Sequence, residues 1–542
     1  LTRDWSSDVC SSDLKMARVA GGLVGGKAVI GVDLGTTNSC AWVSVGGRQR
    51  CVVAPDGSHL FPSCVHYRRD HSIIVGSAAK RLIGNRNQSI VINTKRIIGR
   101  PFNSDEVQSV KDNCGSMVEE RNGKPVFYIK SQDRYVTPVE VSTEILKAII
   151  EEAKKQTDCE IGRICVTIPA NFDENQRSAT LQAVLECGFS EDQVRLLNEP
   201  TAAAICYGQT NDVDGKILLV FDFGGGTFDV SIVKGMGEGD HAHYEVCMYK
   251  GNNHLGGADI DAILLDWMVD RYREVTGNEL IPASMDEGAK ASFRRKLLAL
   301  VERAKIDLST FESSSIEIAS ILPNTRGDID DQEIVLTLTK MNDLIRDKVS
   351  ETLPTIKEAL DAARLTKHDI DAVILVGGSS RLAIVNEIVE NFFGRVKISD
   401  SITKDECVAT GACLALVKNY DPDEIIAYSL GQYVNGNEIQ CVIPVNSKLP
   451  ARESETTYTS CDNMTEAQTA VYQGKQMNKG DTTLATNGSK LAPFSFTGFQ
   501  RRPAGQVAFK TIFEYDKQGL LYVTVLESTR NDRVLLNRKR IE

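Results

Sequence analysis

One pattern in this sequence occurs twice. Gly31-Val32-Asp33-Leu34-Gly35-Thr36-Thr37 returns in kind as Val220-Phe221-Asp222-Phe223-Gly224-Gly225-Gly226-Thr227. Each copy is an apolar run ending in Asp-x-Gly, then small residues, then a second apolar run, Cys40–Val45 or Phe228–Val233. Such a unit reads as a β-hairpin, and its repetition predicts two similar lobes facing each other across a cleft. Turns of Gly and Thr let backbone N–H groups reach phosphate oxygens without Cβ obstruction, and hydroxyls add donors. Carboxylates at the strand ends suit Mg²⁺, directly or through water. One copy alone reads as a tight turn; the facing pair reads as a polyphosphate clamp.

The surrounding texture fits an α/β chain. Strands are predicted at Ala28–Asp33, Ile164–Ile168, Lys216–Asp222 and Ala372–Val376. Helices are predicted at Val139–Lys155, Glu174–Glu186, Ile260–Tyr272, Met285–Leu308, Met341–Leu360 and Asp405–Val417, so parallel pairing dominates. After Lys418 the run Asn419-Tyr420-Asp421-Pro422-Asp423-Glu424 reads as a linker. Beyond it, short alternating runs at Ile439–Val445, Glu455–Ser460, Gln468–Gln473, Val507–Tyr515 and Leu520–Leu526 predict an antiparallel β-sandwich. Turn signals at Asn435-Gly436, Lys479-Gly480 and Asn487-Gly488 separate some of them. The expected units are an extension over 1–27, an α/β domain over 28–418, a linker over 419–427 and a sandwich over 428–542. Residues 1–15 lack both a starting Met and a signal-like apolar run, and are read as an artefactual extension.

Composition narrows the partners. The 542 residues hold 62 Lys+Arg against 73 Asp+Glu, a formal charge of −11, which argues against nucleic acid. No apolar run approaches the ~18 residues of a membrane span, so no membrane partner is expected. Fourteen scattered Cys without a CxxC suggest reduced thiols. With no secretory, retention or membrane signal, a cytoplasmic or nuclear location is expected.

The P-loop pattern G-x-x-x-x-G-K-[ST] and the kinase HRD…DFG set are absent. A third Gly-rich turn, Val376-Gly377-Gly378-Ser379-Ser380-Arg381, opens the predicted helix Leu382–Val389, a place for phosphate or ribose. In order, IGVDLGTTNSC, VTIPANFDENQRSAT, LLNEPTAAAICYG, LLVFDFGGGTFDVSIV, HLGGADID and ILVGGSSRL resemble the seventy-kilodalton heat-shock chaperone family. The resemblance covers about Ala28 to the C-terminus. It implies an actin-like ATPase domain of two ribonuclease-H-like lobes, followed by a sandwich holding extended apolar peptide segments of unfolded proteins.

The resemblance also assigns residues. Asp33, Gly35, Thr36, Thr37 and Asn38 fall on the first phosphate hairpin; Gly224, Gly225, Gly226 and Thr227 fall on the second. Asp33, Asp222 and Asp229 match carboxylates that organise Mg²⁺. Lys95 matches the catalytic lysine and Glu199 a carboxylate near the attacking water; Asp33, Asp222 and Thr227 complete the catalytic set. Glu302, Lys305 and Ser309, at helical spacing, match the nucleoside wall. Gly378, Ser379, Arg381 and Asp405 match the opposite wall. ATP or ADP with Mg²⁺, and K⁺ as a further cation, are the implied ligands. J-domain co-chaperones, whose position Arg195 matches, and nucleotide exchange factors are implied partners. Pro169 and Arg177 match residues that relay nucleotide state between domains.

Several departures from the family set further expectations. Ile306 stands where the family stacks an Arg on adenine, which removes a cation–π term of ~0.5–2 kcal/mol and predicts weaker nucleotide binding. Asn171 replaces an aromatic residue. The linker carries Asp-Pro-Asp where the family has Leu/Val; docking it in an apolar groove would bury unpaired charge, unless Ile425 and Ile426 substitute at a shifted register. Asn435, Ile439 and Ala467 are expected near the peptide groove. The sequence stops where the family's helical lid would begin, near Leu536, which predicts fast peptide exchange. The leading reading is an ATP-hydrolysing chaperone. A nucleotide-binding holdase or co-chaperone with weak or uncoupled ATPase activity is the alternative; a small-molecule kinase and a filament former are disfavoured by the sandwich.

Overall fold

The computed structural model describes residues 27–83, 89–114, 117–252, 255–318, 333–394, 397–399, 402–434, 437–474, 477–485, 488–491 and 493–541. The predicted extension up to residue 26, groove residue Asn435 with its Asn-Gly turn, and Asn487 lie outside the described residues.

The sequence echo becomes a repeat of strand order. In the first sheet, Ala28–Asp33 pairs antiparallel with Asn38–Val45, which pairs with Arg48–Cys51; on its other side lie Ile161–Ile168 and then Val194–Asn198, both parallel. In the second, Ile217–Phe223 pairs antiparallel with Phe228–Met236, which pairs with His243–Asn252; on its other side lie Ala372–Val376 and Lys397–Ile398, again parallel. Both hairpins thus sit at the centre of sheets with one topology, and both lead strands are almost wholly buried. Burial on both sides is what continuous runs such as Ala28–Asp33 and Ala372–Val376 encode.

The Cys407–Val417 helix lies between the sheets and crosses Glu199–Gly208 at backbone contact. A Cβ on Gly411 would overlap the Ala202 carbonyl oxygen, and one on Gly31 would overlap the backbone amide of Cys413. Small residues along both helices, Ala202, Ala203, Ala204, Ala409, Ala412 and Ala415, permit this approach.

Beyond residue 428 all pairing is antiparallel. One sheet runs Thr482–Leu484, Glu438–Ile443, Ser429–Val434, Val471–Gly474, Gly488–Lys490; the other runs Ala451–Tyr458, Ala508–Tyr515, Leu521–Glu527, Arg533–Arg540. They share a core of Leu430, Val442, Phe509, Phe513, Val523 and Val525. Strict alternation of burial along Ala508–Tyr515 and Leu521–Glu527 is the period-2 signal read in the sequence.

Beyond shifts of a few residues at element ends, four differences stand out. The helix expected over Met341–Leu360 is two, Leu338–Ser350 and Thr352–Ala362, because Pro354 has no N–H to offer the Ser350 carbonyl. The strand expected over Gln468–Gln473 divides at Ala470: Glu466–Thr469 pairs with Phe494–Thr497, while Val471–Gly474 joins the larger sheet. The helix predicted from Asp405 begins at Cys407, with Asp405 in the preceding turn. The last strand continues past Leu536 to Arg540.

The linker is docked. Asp423 donates its N–H to Tyr244 O, and Val246 donates to Asp423 O, both at 2.9 Å, so the segment adds to the edge strand His243–Asn252. Ile425 then buries in the inter-lobe core and Ile426 in the sandwich core. Ile425 and Ile426 take the buried positions, the shifted register expected as the alternative, and the two Asp are not buried. Asp421 stays exposed and pairs with Lys517, Asp423 is half-exposed beside His243, and only Glu424 is buried.

Candidate functional site

The two hairpins meet. A Cβ on Gly225 would overlap Thr37 Oγ1, and one on Gly35 would overlap the Asn38 carbonyl oxygen, so these turns require glycine for close approach. In the second turn Gly224 donates to Thr227 O at 3.1 Å. Its carbonyls are taken from behind: Gly257 and Ala258, at the start of helix Gly257–Thr276, donate to Gly224 O and Gly225 O at 3.0 and 2.9 Å.

Behind the turns, buried charge accumulates. Asp33 ends the first lead strand, Asp222 is the penultimate residue of the second, and Asp229 lies directly opposite Asp222 in the hairpin. Lys95 comes from the short helix Thr94–Ile97 and forms an ion pair with Glu199, first residue of the Glu199–Gly208 helix. Burial would lower the Lys95 pKa, but Glu199 and Asp33 outweigh it and raise it, so the lysine stays charged. Burial, then the Glu199 charge, holds the Asp33 carboxyl up at about 7, with Lys95 and a 3.5 Å hydrogen bond from Thr167 opposing. Asp229 is likewise pushed up to about 7 by burial and Glu199, against hydrogen bonds from Thr227 Oγ1 at 3.0 Å and Tyr249 OH at 3.1 Å. Burial and the neighbouring carboxylates raise Asp222 well above the usual range.

Four carboxylates therefore converge on one lysine. That imbalance, made of hard oxygen donors, is the donor set of a divalent cation such as Mg²⁺. The residues present fit the group.

The two predicted walls flank the hairpins. Ser379 Oγ donates to Gly224 O at 2.9 Å, and Arg381 forms an ion pair with Asp405. Gly378 lies beside Asp405, which in turn faces Asp33. Across from them, Lys305 pairs with Asp261 at 2.7 Å and donates to Gly257 O at 3.2 Å. Glu302 reaches Lys80 of the first lobe at 3.0 Å. Ser309 sits exposed in the turn that follows the helix of Glu302 and Lys305, which ends at Asp307.

Some participants were not legible. Arg96, next to Lys95, donates to Gly225 O at 3.3 Å, and its neighbourhood was the only signal for it. Lys80 carries no motif, and Asp261, though it ends HLGGADID, was not singled out, since their partners lie more than forty residues away in sequence. The relay candidate Arg177 is buried. It donates to Phe172 O at 3.1 Å, to Asn198 Oδ1 at 3.1 Å, and to Gln518 O of the sandwich at 3.2 Å. Arg195 holds the linker, donating to Tyr420 O at 2.6 Å. Of the groove candidates, Ile439 is fully buried among Cys441, Tyr472, Met477 and Ala485, and Ala467 is half-buried.

Comparison with known proteins places this geometry. Residues 29–538 match the family model described as Hsp70 protein. The chain is 33% identical over 505 residues to a "Chaperone protein dnaK" of Cyanidioschyzon merolae, covering 92% of this chain and 79% of that one. It is also 33% identical over 507 residues to a "Chaperone protein DnaK" of Thermotoga petrophila, covering 92% and 78%.

Proposed function

The chain belongs to the Hsp70 family, and we propose that it is an ATP-dependent chaperone in which hydrolysis between two actin-like lobes governs peptide binding in the sandwich. In this reading residues 28–418 form the ATPase domain, 419–427 the linker and 428–542 the peptide-binding domain. The observation that carries it is the buried cluster of Asp33, Asp222, Asp229 and Glu199 around Lys95, set behind two glycine turns in contact.

ATP + H₂O → ADP + phosphate needs charge placed on the transferring phosphoryl group and a positioned water. The amides and hydroxyls of Gly35–Asn38 and Gly224–Thr227 bind the phosphates from both sides. Lys95 supplies positive charge toward the transferring group, and Glu199, which holds Lys95, orients the water. Asp33, Asp222 and Asp229 would hold Mg²⁺, which neutralises phosphate charge when bound; K⁺ suits the same acidic surround. Glu302 and Lys305 on one side, and Gly378, Ser379, Arg381 and Asp405 on the other, line the nucleoside. Lys95 paired inside this cluster supports turnover rather than passive holding.

Tyr433, 41% exposed, pairs with Ile439 and stacks on Tyr472 at the edge of the buried Ile439 cluster, and offers an apolar surface to an extended peptide. Arg195, at the linker, is the expected contact of J-domain partners, and exchange factors would act on the lobes. No helix among the described residues is long and apolar enough to cross a membrane. The described cysteines form no disulfide, which suits a reducing cytoplasm. The test is hydrolysis of MgATP with and without an unfolded peptide. Stimulated turnover is expected; turnover indifferent to peptide would contradict the coupling.

A further inference from the structure

A second cluster of ligating side chains lies outside the nucleotide site. Cys51 at the end of the Arg48–Cys51 strand, His59 in the loop after it, and Glu406 just before the Cys407–Val417 helix bring Sγ, a ring nitrogen and a carboxylate oxygen within 4.8 Å of one another. These residues come from two segments about 350 positions apart in sequence, joined only by the fold. His59 Nδ1 already faces Glu406 Oε1 at 2.8 Å.

We propose that Cys51, His59 and Glu406 form a binding site for Zn²⁺ or a similar thiolate-accepting divalent ion. The donor set is one sulfur, one imidazole nitrogen and one carboxylate oxygen. That combination selects zinc over Mg²⁺ and Ca²⁺, which take oxygen alone. Zinc bonds are about 2.0–2.3 Å, so Cys51 Sγ has to draw in by less than about 1.5 Å while His59 Nδ1 and Glu406 Oε1 open by about 0.5 Å.

Supporting contacts are already in place. Trp42 Nε1 donates to the other Glu406 oxygen at 3.2 Å, fixing that carboxylate's orientation. The Cys40 thiol, on the same face of the Asn38–Val45 strand as Trp42, lies beside Cys51 on the buried side, and Cys51 Sγ donates to Val52 O at 3.6 Å. Partners of this kind orient metal ligands. His59 is 52% exposed against 16% for Glu406, so the fourth position opens to solvent for a water. Binding releases the Cys51 proton to solvent and replaces the His59–Glu406 hydrogen bond by two metal bonds. The ion would fasten the edge of the first sheet to the helix start next to Asp405.

The test uses the full, reduced chain in excess Mg²⁺, titrated with Co²⁺ as a spectroscopic stand-in and then with Zn²⁺. One equivalent of Co²⁺ should give thiolate charge-transfer absorption that Zn²⁺ displaces. The absorption should vanish in Cys51→Ser. Affinity should fall at least about tenfold in His59→Gln, a half-exposed position that does not threaten folding, and in Trp42→Phe. Cys247→Ser and Cys461→Ser, exposed elsewhere, should bind as wild type. No thiolate absorption, absorption that survives Cys51→Ser, or affinity unmoved in His59→Gln would overturn the proposal.

Discussion

Asn198 donates its amide to Glu424 at 2.6 Å, both side chains buried, and so joins the interdomain linker to the residue that precedes Glu199. The same Asn198 accepts from Arg177, which also reaches the sandwich at Gln518 O. Linker and sandwich thus meet within one hydrogen-bonded group, one residue along the chain from the Lys95–Glu199 pair.

Removing the Asn198 amide leaves Glu424 buried without this donor, a loss of about 1–3 kcal/mol. Asn198→Ala should therefore undock the linker, seen as faster limited proteolysis within 419–427. Glu424→Gln should stay docked, because burial already favours a neutral side chain there and Gln still accepts. Equal protection of wild type and Asn198→Ala would contradict the role.

The helix crossing predicts a large effect from one methyl group. At Gly411 an added Cβ meets the Ala202 carbonyl oxygen, which is backbone and cannot step aside. Gly411→Ala should destabilise the lobes by about 1–3 kcal/mol, read as a lower thermal midpoint, whereas Gly288→Ala, whose Cβ would meet only the Asp286 carboxylate at 3.4 Å, carries no such clash.

Cation binding should depend on pH with a definite sign. Asp33 and Asp229 are raised from the usual 3.8 to about 7. Since the folded value exceeds the unfolded one, their contribution to stability is full below about pH 4 and is lost as pH rises through about 7. A divalent cation favours the ionised form and offsets the loss. The thermal midpoint without Mg²⁺ should therefore fall between about pH 4 and 7, and the gain on adding Mg²⁺ should grow over the same window as the carboxylates ionise. A gain that stays flat across that window would contradict the assignment of these carboxylates.

Ile306 is 55% exposed, one residue beyond Lys305 on the nucleoside wall. An Arg at this position adds stacking on a base of about 0.5–1 kcal/mol at an exposed site. Ile306→Arg should thus tighten ATP binding by about two- to fivefold, measured by calorimetry; unchanged affinity would place the base elsewhere.

Local chemistry was legible wherever it was written in contiguous residues. The Asp-x-Gly turns, the lead strands and the alternating sandwich strands follow from periodicity and turn residues alone. Lys95 and Glu199 were named through motif resemblance, not through spacing, because nothing local shows that residues 95 and 199 meet. The linker shows the limit most clearly. Its charges suggested that it could not dock, yet the polar partners that accommodate them, Asn198, Lys517 and His243, lie in distant segments. The helix that carries Glu302 and Lys305 ends at Asp307, so helical spacing alone does not extend to Ser309. The Cys51–His59–Glu406 cluster gave no signal in a sequence whose cysteines are scattered singly.

The central claim is that Lys95, held by Glu199 among buried carboxylates, drives ATP hydrolysis that the sandwich can sense. Single-turnover hydrolysis by the full chain, wild type against Lys95→Ala, with and without an unfolded peptide, tests it most directly. Wild type should hydrolyse ATP and accelerate with peptide. Lys95→Ala should bind nucleotide yet hydrolyse it about 10²–10³-fold more slowly, the usual loss for one preorganised charge at a transition state. Equal rates in the two proteins would contradict the account.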